Sequence, residues 1–175
     1  SSEQELTDVL NKYHKVPAQL QDIPAGKKFV MQPTPSNKVL IAPYEAKQIY
    51  MVQYSNRGEK FNPEVEPIRS LYNEYFGGGM NSIVFQEMRE SRGLAYSAWA
   101  GIVTGGKVIY PYTVQTQIAT QNDKMMDAIK TFNDIINNMP ESEAAFKLAK
   151  EGIISRLRTD RIIKDNILWS YIYAQ

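Results

Sequence analysis

Two side chains seven residues apart, Arg89 and Tyr96, have the chemistry of an oxyanion-binding pair. An arginine guanidinium supplies charged hydrogen-bond donors, and a tyrosine phenol supplies a neutral donor that also accepts. Donors held beside a developing negative charge stabilise a carbonyl oxygen or a tetrahedral oxyanion. From the residue types alone, a plainer interpretation stays open, in which Arg89 pairs with a surface carboxylate and Tyr96 packs.

The sequence predicts that a helix and the strand after it position this pair. The helix is "SIVFQEMRES", with Asn81 or Ser82 as its N-cap and Gly93 just beyond its end. Arg89 falls in the last turn of this helix, and Tyr96 falls in the strand "LAYSAWAGIV". Because the strand follows the helix directly, both side chains can point to the same place outside the fold.

Three consecutive glycines, in "GGGMNS" at 77–82, raise the question of a phosphate-binding loop. A nucleotide-binding P-loop requires a lysine that this segment lacks. A dinucleotide-binding loop requires a preceding strand and a third glycine, whereas a helical pattern precedes this segment and Ser82 stands at the glycine position. The glycines are therefore predicted to form a tight corner between two helices, where a Cβ atom would clash.

The remaining elements predict an α+β fold. Strands are expected at "KVLIAP" (38–43) and within "AKQIYMVQYSNRGE" (46–59), the second with both faces mostly covered. A helix at 65–76 follows, with an inward face formed by Ile68, Leu71, Tyr72 and Tyr75 and a left-handed cap at Gly77. The element order predicts a two-layer domain, with helices packed on one face of an antiparallel or mixed sheet.

The second half of the chain repeats this alternation of strands and helices. The strand at 94–103 and the strand at 108–120 are joined by "TGGK", which predicts a hairpin, and Pro111 predicts an edge or a bulge. A helix at 124–139 is expected to bury a stripe of apolar residues: Met125, Ile129, Phe132, Ile136 and Met139. A long helix then starts at Ser142 and continues to the end without a stop signal, so the domain is expected to be incomplete there.

The organisation predicted for the chain is an N-terminal connector, residues 1–36, and an α+β domain, residues 37–175. Four prolines in 17–38 favour a connector. The net charge of +1 provides no general field for nucleic acid, and the absence of cysteine excludes disulfides and thiolate metal sites. No apolar run is long enough to span a bilayer, and the cellular compartment is left open.

The segment "FGGGMNSIVFQEMRESRGLAYS" resembles a signature of the pitrilysin/insulinase family of zinc peptidases, to which the mitochondrial processing peptidases and the respiratory core proteins belong. Non-catalytic domains of that family carry the pattern "GGG-x-x-S-x-LF-x-x-LRE-x-x-GLAYS". The resemblance is close over 68–100 and consistent in element order from about 38 to 165. One departure is Ile83, where the pattern often has an arginine.

The resemblance implies that two homologous α+β domains enclose a chamber. One domain carries zinc on a His-x-x-Glu-His helix. The other domain contributes an arginine and a tyrosine, which match Arg89 and Tyr96, and the tyrosine helps to bind peptide substrate and to stabilise the tetrahedral intermediate.

The chain departs from the catalytic pattern at the helix 65–76, which stands where the zinc helix would be and has no histidine. The single histidine of the chain, His14, lies in the connector. A zinc site requires about three protein ligands and a base, so no metal or other cofactor is expected in this chain. Zinc is instead expected in a homologous catalytic domain, in the same polypeptide or in a partner subunit.

The sequence therefore predicts the inactive domain of a zinc metalloendopeptidase, with no activity of its own. A structural or assembly homologue without peptidase activity, like the respiratory core proteins, is the alternative. A nucleotide- or anion-binding module at the glycine corner is a third possibility. The basic run at 147–164 could line a chamber for acidic peptides, although such runs commonly form solvated helix faces.

Overall fold

The computed structural model describes residues 2–27, 29–104, 109–161 and 164–174, and it divides the chain into two units, Ser1–Val30 and Met31–Gln175. The first unit contains helix α1 (Glu3–Tyr13), which the sequence predicted. Ser2 and Glu5 form a reciprocal capping box at its start. The predicted connector of residues 1–36 and domain of residues 37–175 stay predictions.

The second unit is built on a three-stranded antiparallel sheet. Its strands are β1 (Ile49–Ser55), β2 (Ser97–Val103) and β3 (Thr113–Thr120), in the order β1-β3-β2. The predicted hairpin is confirmed by the pairing of β2 with β3, and the residues 105–108 of its turn lie outside the described part of the chain. The sheet is antiparallel, so the α+β class predicted from the sequence is confirmed.

Helices cover one face of this sheet. They are α2 (Glu66–Phe76), α3 (Ile83–Phe85) with a π-helical turn at Gln86–Ser91, α4 (Met125–Asn137) and α5 (Glu143–Thr159). The pairing register places Ala98 of β2 beside Ile118 of β3 on the buried face. The side chains of Val84, Met88 and Phe132 from the helices are fully buried in the same core.

A last helix, α6 (Ile167–Ala174), follows a short 3₁₀ turn at Lys164–Asn166. The sequence predicted one continuous helix from Ser142 onward, and that prediction is wrong because α5 ends at Thr159 with the extended residue Asp160 as its C-cap. Among the described helices, none is both long and apolar enough to cross a membrane.

Two predictions about the first strands are wrong. The segment 38–43 is not a strand, and its apolar side chains Val39, Leu40 and Ile41 are exposed. High β-propensity alone does not form a strand, since a strand needs a neighbour to pair with. Strand β1 forms as predicted, but Tyr50 and Val52 are 61% and 72% exposed, because they face away from the helices on an edge strand.

Predicted helix faces and caps also differ in detail from the structure. Gly77 ends α2 as predicted, but its φ of −145° is not left-handed. Ile68 is exposed, whereas the predicted inward residues Leu71, Tyr72 and Tyr75 do belong to the core or pack against it. Pro111 precedes β3 and is not inside it, and the edge predicted from it is wrong because β3 is the central strand.

The buried stripe of α4 is rotated from the predicted one. Met125 and Phe132 are buried as expected, but Ile136 and Met139 are exposed and Ile135 is buried in their place. Small residues explain the shift, because Ala128 and Thr131 lie against the core and carry no strong apolar signal in the sequence.

Candidate functional site

The helix that carries Arg89 is fixed at both ends. Ser82 caps its start, where the Ser82 hydroxyl accepts a hydrogen bond from the backbone N–H of Phe85. At its end Gly93 has a φ of +57°, the left-handed conformation predicted for it. The N–H groups of Leu94 and Ala95 both donate to the carbonyl of Met88, so the chain turns at once into β2.

The backbone of Tyr96 is hydrogen-bonded to the sheet, whereas its side chain is exposed to solvent. Its N–H donates to the carbonyl of Ala119 in β3 at 2.9 Å. Its side chain is 70% exposed. Tyr96 was predicted to lie within the strand, but β2 begins one residue later at Ser97, and the hydrogen bond to β3 holds the Tyr96 backbone while the phenol reaches out of the fold.

The structure brings Arg89 and Tyr96 together. The guanidinium carbon Cζ of Arg89 lies 5.7 Å from the centroid of the Tyr96 ring. The same carbon lies 5.0 Å from the centroid of Phe85. Both distances lie within the range of cation–π interactions. The juxtaposition predicted from the helix-to-strand corner is present, and the catalytic role of the two residues stays a prediction.

Phe85 is the member of this cluster that the sequence reasoning missed. Residues four apart on a helix are neighbours, so the spacing of Phe85 and Arg89 in "FQEMR" contained the signal. Arg89 also contacts a carboxylate, with 3.6 Å between its Nε and Oε1 of Glu90. Both of these side chains are about half exposed, and an ion pair of that kind contributes little stability.

The glycine corner packs the end of α2 closely against the backbone of β2. A methyl group on Gly77 would lie 2.7 Å from the backbone nitrogen of Ala100 in β2, and closer still to its carbonyl oxygen. The absence of a side chain thus lets the end of α2 reach the backbone of the strand. At the start of the next helix, the Ser82 hydroxyl accepts a hydrogen bond from the N–H of Phe85. The structure agrees with the predicted tight corner.

A polar clamp of Glu66, Arg69 and Tyr112 fixes the start of α2. Arg69 donates from Nε and Nη2 to the Glu66 carboxylate, with the shortest distance 2.7 Å, and from Nη1 to the carbonyl of Ile102. The phenol of Tyr112 donates to Oε1 of Glu66 at 2.7 Å. The hydrogen bond from Arg69 lowers the pKa of Glu66 against the opposing effect of burial. The clamp ties α2 to the ends of β2 and β3.

Replacing Glu66 with glutamine is expected to destabilise the fold at neutral pH and much less in acid. The pKa of Glu66 is lowered in the folded state from 4.5, so its contribution is complete above that value and is lost as the pH falls through the folded pKa. We expect a loss of about 1 kcal/mol at pH 7, reduced by partial exposure. Urea unfolding at pH 7 and pH 3 measures the difference, with Glu64→Gln as the control. An equal loss at both pH values would contradict the role of this charge.

Comparison with models of known protein families identifies the family of this chain. The family model described as the peptidase M16 inactive domain matches residues 1–153. The chain belongs to this family. No curated protein matches the chain.

A solved structure of a peptidase M16 inactive domain from Pseudomonas fluorescens is similar to the chain. The two share 19% sequence identity with a TM-score of 0.49, over 63% of this chain and 27% of that one. The chain thus spans about a quarter of the length of that structure.

The residues that the structure describes in this M16 inactive domain do not form a zinc site. Within the described residues, no group of three or more histidine, cysteine, aspartate or glutamate side chains could hold a metal ion. His14 is the exposed C-cap residue of α1. Neither the glycine corner nor the Arg89–Tyr96 cluster brings carboxylates together in a ligand set.

Purified chain is expected to retain no stoichiometric zinc after dialysis. Zinc in proteins is held by several histidine, cysteine or carboxylate ligands together, and the described residues do not assemble such a set. Elemental analysis of the dialysed protein checks this expectation, with His14→Ala as the control for weak binding by the single imidazole. One tightly bound zinc per chain in both proteins would contradict it.

Proposed function

We propose that this M16 inactive domain completes the active site of a zinc metalloendopeptidase and helps to enclose its peptide substrate. The observation that carries the proposal is the cluster at the helix-to-strand corner. There the guanidinium of Arg89 lies 5.7 Å from the ring of Tyr96, whose side chain is 70% exposed. A charged donor and a phenol are thus presented together at the surface.

Tyr96 is the group that would contact substrate. Its hydroxyl is a donor for the carbonyl oxygen of the scissile peptide, and the same hydrogen bond strengthens as that oxygen gains negative charge. Arg89 adds a positive charge beside this position and holds the ring in place. Because the strand fixes the Tyr96 backbone, the phenol needs little rearrangement when substrate binds.

The metal must come from elsewhere, since the described residues do not form a zinc site. The proposed partner is a homologous zinc-binding catalytic domain, in the same polypeptide or in another subunit. A zinc ion held by that partner would supply the activation of the attacking water, and Arg89 and Tyr96 of this chain would supply hydrogen-bond donors to the substrate. The chain alone is therefore expected to be inactive, and the net charge of +1 favours no nucleic-acid partner.

Replacing Arg89 with alanine in the complete peptidase tests the proposal. Peptide turnover is expected to fall by about a hundredfold, because a preorganised charge beside the oxyanion is lost. Arg92→Ala is the matched control, since Arg92 lies one turn further on, is 52% exposed and pairs with Glu87. If the Arg89→Ala and Arg92→Ala enzymes both keep the turnover of the unchanged enzyme, Arg89 has no catalytic role.

A further inference from the structure

The rings of Phe85 and Tyr96 both contact the guanidinium of Arg89. Cζ of Arg89 lies 5.0 Å from the Phe85 centroid and 5.7 Å from the Tyr96 centroid, so two aromatic rings flank one cation. We propose that Phe85 is a positioning residue, which fixes the Arg89 side chain beside Tyr96. The expected effect of Phe85 on catalysis rests on the proposed function. The positioning of Arg89 by Phe85 does not.

Phe85 is itself held firmly. Its backbone N–H donates to the Ser82 hydroxyl, and its neighbour Val84 is fully buried. Met88, one turn later, is also fully buried. The Phe85 ring is half-buried, so part of it is supported by the protein while part remains available to Arg89. A supported ring of this kind is a fixed surface on which a cation can rest.

Arg89 needs such a support. A long arginine side chain loses considerable rotamer freedom when it is ordered. Its ion pair with Glu90 is 3.6 Å long and joins two half-exposed groups, and it is too weak to hold the side chain alone. The Phe85 ring lies in the preceding turn, on the side toward which helical side chains lean.

The local helix geometry places Arg89 in an unusual turn. The α-helical hydrogen bonding ends at Phe85, and the π-helical turn Gln86–Ser91 begins immediately after it. A π-helical turn contains an additional residue and occurs frequently at functional sites. Arg89 thus lies in the π-helical turn, while Phe85 belongs to the α-helical turn that precedes it.

The positioning is tested first by the NMR signal of the Arg89 side chain. In the ¹⁵N-arginine-labelled chain, the Nε–Hε resonance of Arg89 is identified by its loss in Arg89→Lys. Ring currents from two aromatic neighbours are expected to displace this resonance from those of solvated arginines. Phe85→Leu, which keeps apolar bulk but removes the ring, should move it toward the solvated position, and Phe85→Tyr should leave it in place. An Arg89 resonance unchanged by Phe85→Leu would overturn the proposal.

The catalytic consequence is tested in the complete peptidase. Phe85→Leu is expected to lower kcat about ten- to a hundredfold with a smaller change in KM, because a misplaced group loses reactive geometry. Phe85→Tyr should restore turnover. Equal losses in both variants would show a structural role and overturn the proposal. If Phe85→Leu does not fold, Phe85→Met provides a second ring-free side chain.

Different results would overturn the proposed function and the positioning role of Phe85. Full turnover in Tyr96→Phe would overturn the proposed function, whereas the Arg89 resonance would still decide whether Phe85 positions the guanidinium. Full turnover in Phe85→Leu, together with a large loss in Tyr96→Phe, would overturn the positioning role of Phe85 and leave the proposed function standing.

Discussion

Tyr96→Phe in the complete peptidase is expected to lower turnover about a hundred- to a thousandfold, the usual effect of losing one preorganised donor to an oxyanion. The melting temperature should stay the same. The Tyr96 side chain is 70% exposed, and losing an exposed polar tip changes stability by within about half a kcal/mol. The ring and its contact with Arg89 remain in the phenylalanine variant, so the substitution removes the hydroxyl alone.

Tyr50→Phe is the matched control for this experiment. Tyr50 lies in β1 of the same sheet and is 61% exposed, so the two substitutions remove a hydroxyl from similarly exposed rings. The guanidinium of Arg89 lies over Tyr96 and not over Tyr50. Steady-state kinetics on a peptide substrate and thermal melting of each enzyme provide the comparison. If Tyr96→Phe and Tyr50→Phe hydrolyse peptide equally well, Tyr96 is a packing residue only.

The juxtaposition of Arg89 and Tyr96 was predictable from the sequence because its geometry is local. Ser82, Gly93 and the seven-residue spacing of Arg89 and Tyr96 determine where the helix begins, where the chain turns and where the strand starts. These signals act over a few residues, so propensity and capping suffice to identify them. Phe85 was not predicted, because the hydrogen-bonding chemistry that singles out Arg89 and Tyr96 gives no weight to an aromatic ring four positions before Arg89.

Several of the wrong predictions depend on distant partners. Residues 38–43 have the composition of a strand, but pairing with another segment decides whether a strand forms, and Val39 and Leu40 are exposed. Strand β1 was predicted to be mostly covered on both faces, but it lies at the edge of the sheet and Tyr50 and Val52 are exposed. The buried stripe of α4 includes Ala128, which was left out of the predicted stripe. Sequence patterns indicate which elements form more reliably than they indicate which neighbours those elements meet.

The glycine corner provides the stability prediction with the largest expected effect. Gly77→Ala should lower the free energy of unfolding by about 1–3 kcal/mol, the usual result of forcing extra volume into a packed interior. The added methyl group would lie 2.7 Å from the nitrogen and 2.9 Å from the carbonyl carbon of Ala100. Both are backbone atoms of β2, so relief requires the helix or the strand to move. For a domain of this size, the melting temperature should fall by roughly 2–12 °C.

Gly79→Ala separates this packing requirement from a general effect of glycine. The nearest neighbour of a methyl group at Gly79 is the side-chain oxygen Oε1 of Glu74 at 3.5 Å, an ordinary contact, and the φ of Gly79 is not positive. Its substitution should change stability by no more than about half a kcal/mol. Denaturant unfolding of both variants measures the contrast. If the Gly77→Ala and Gly79→Ala proteins lose the same stability, flexibility of the glycine run matters and the close approach of α2 to β2 does not.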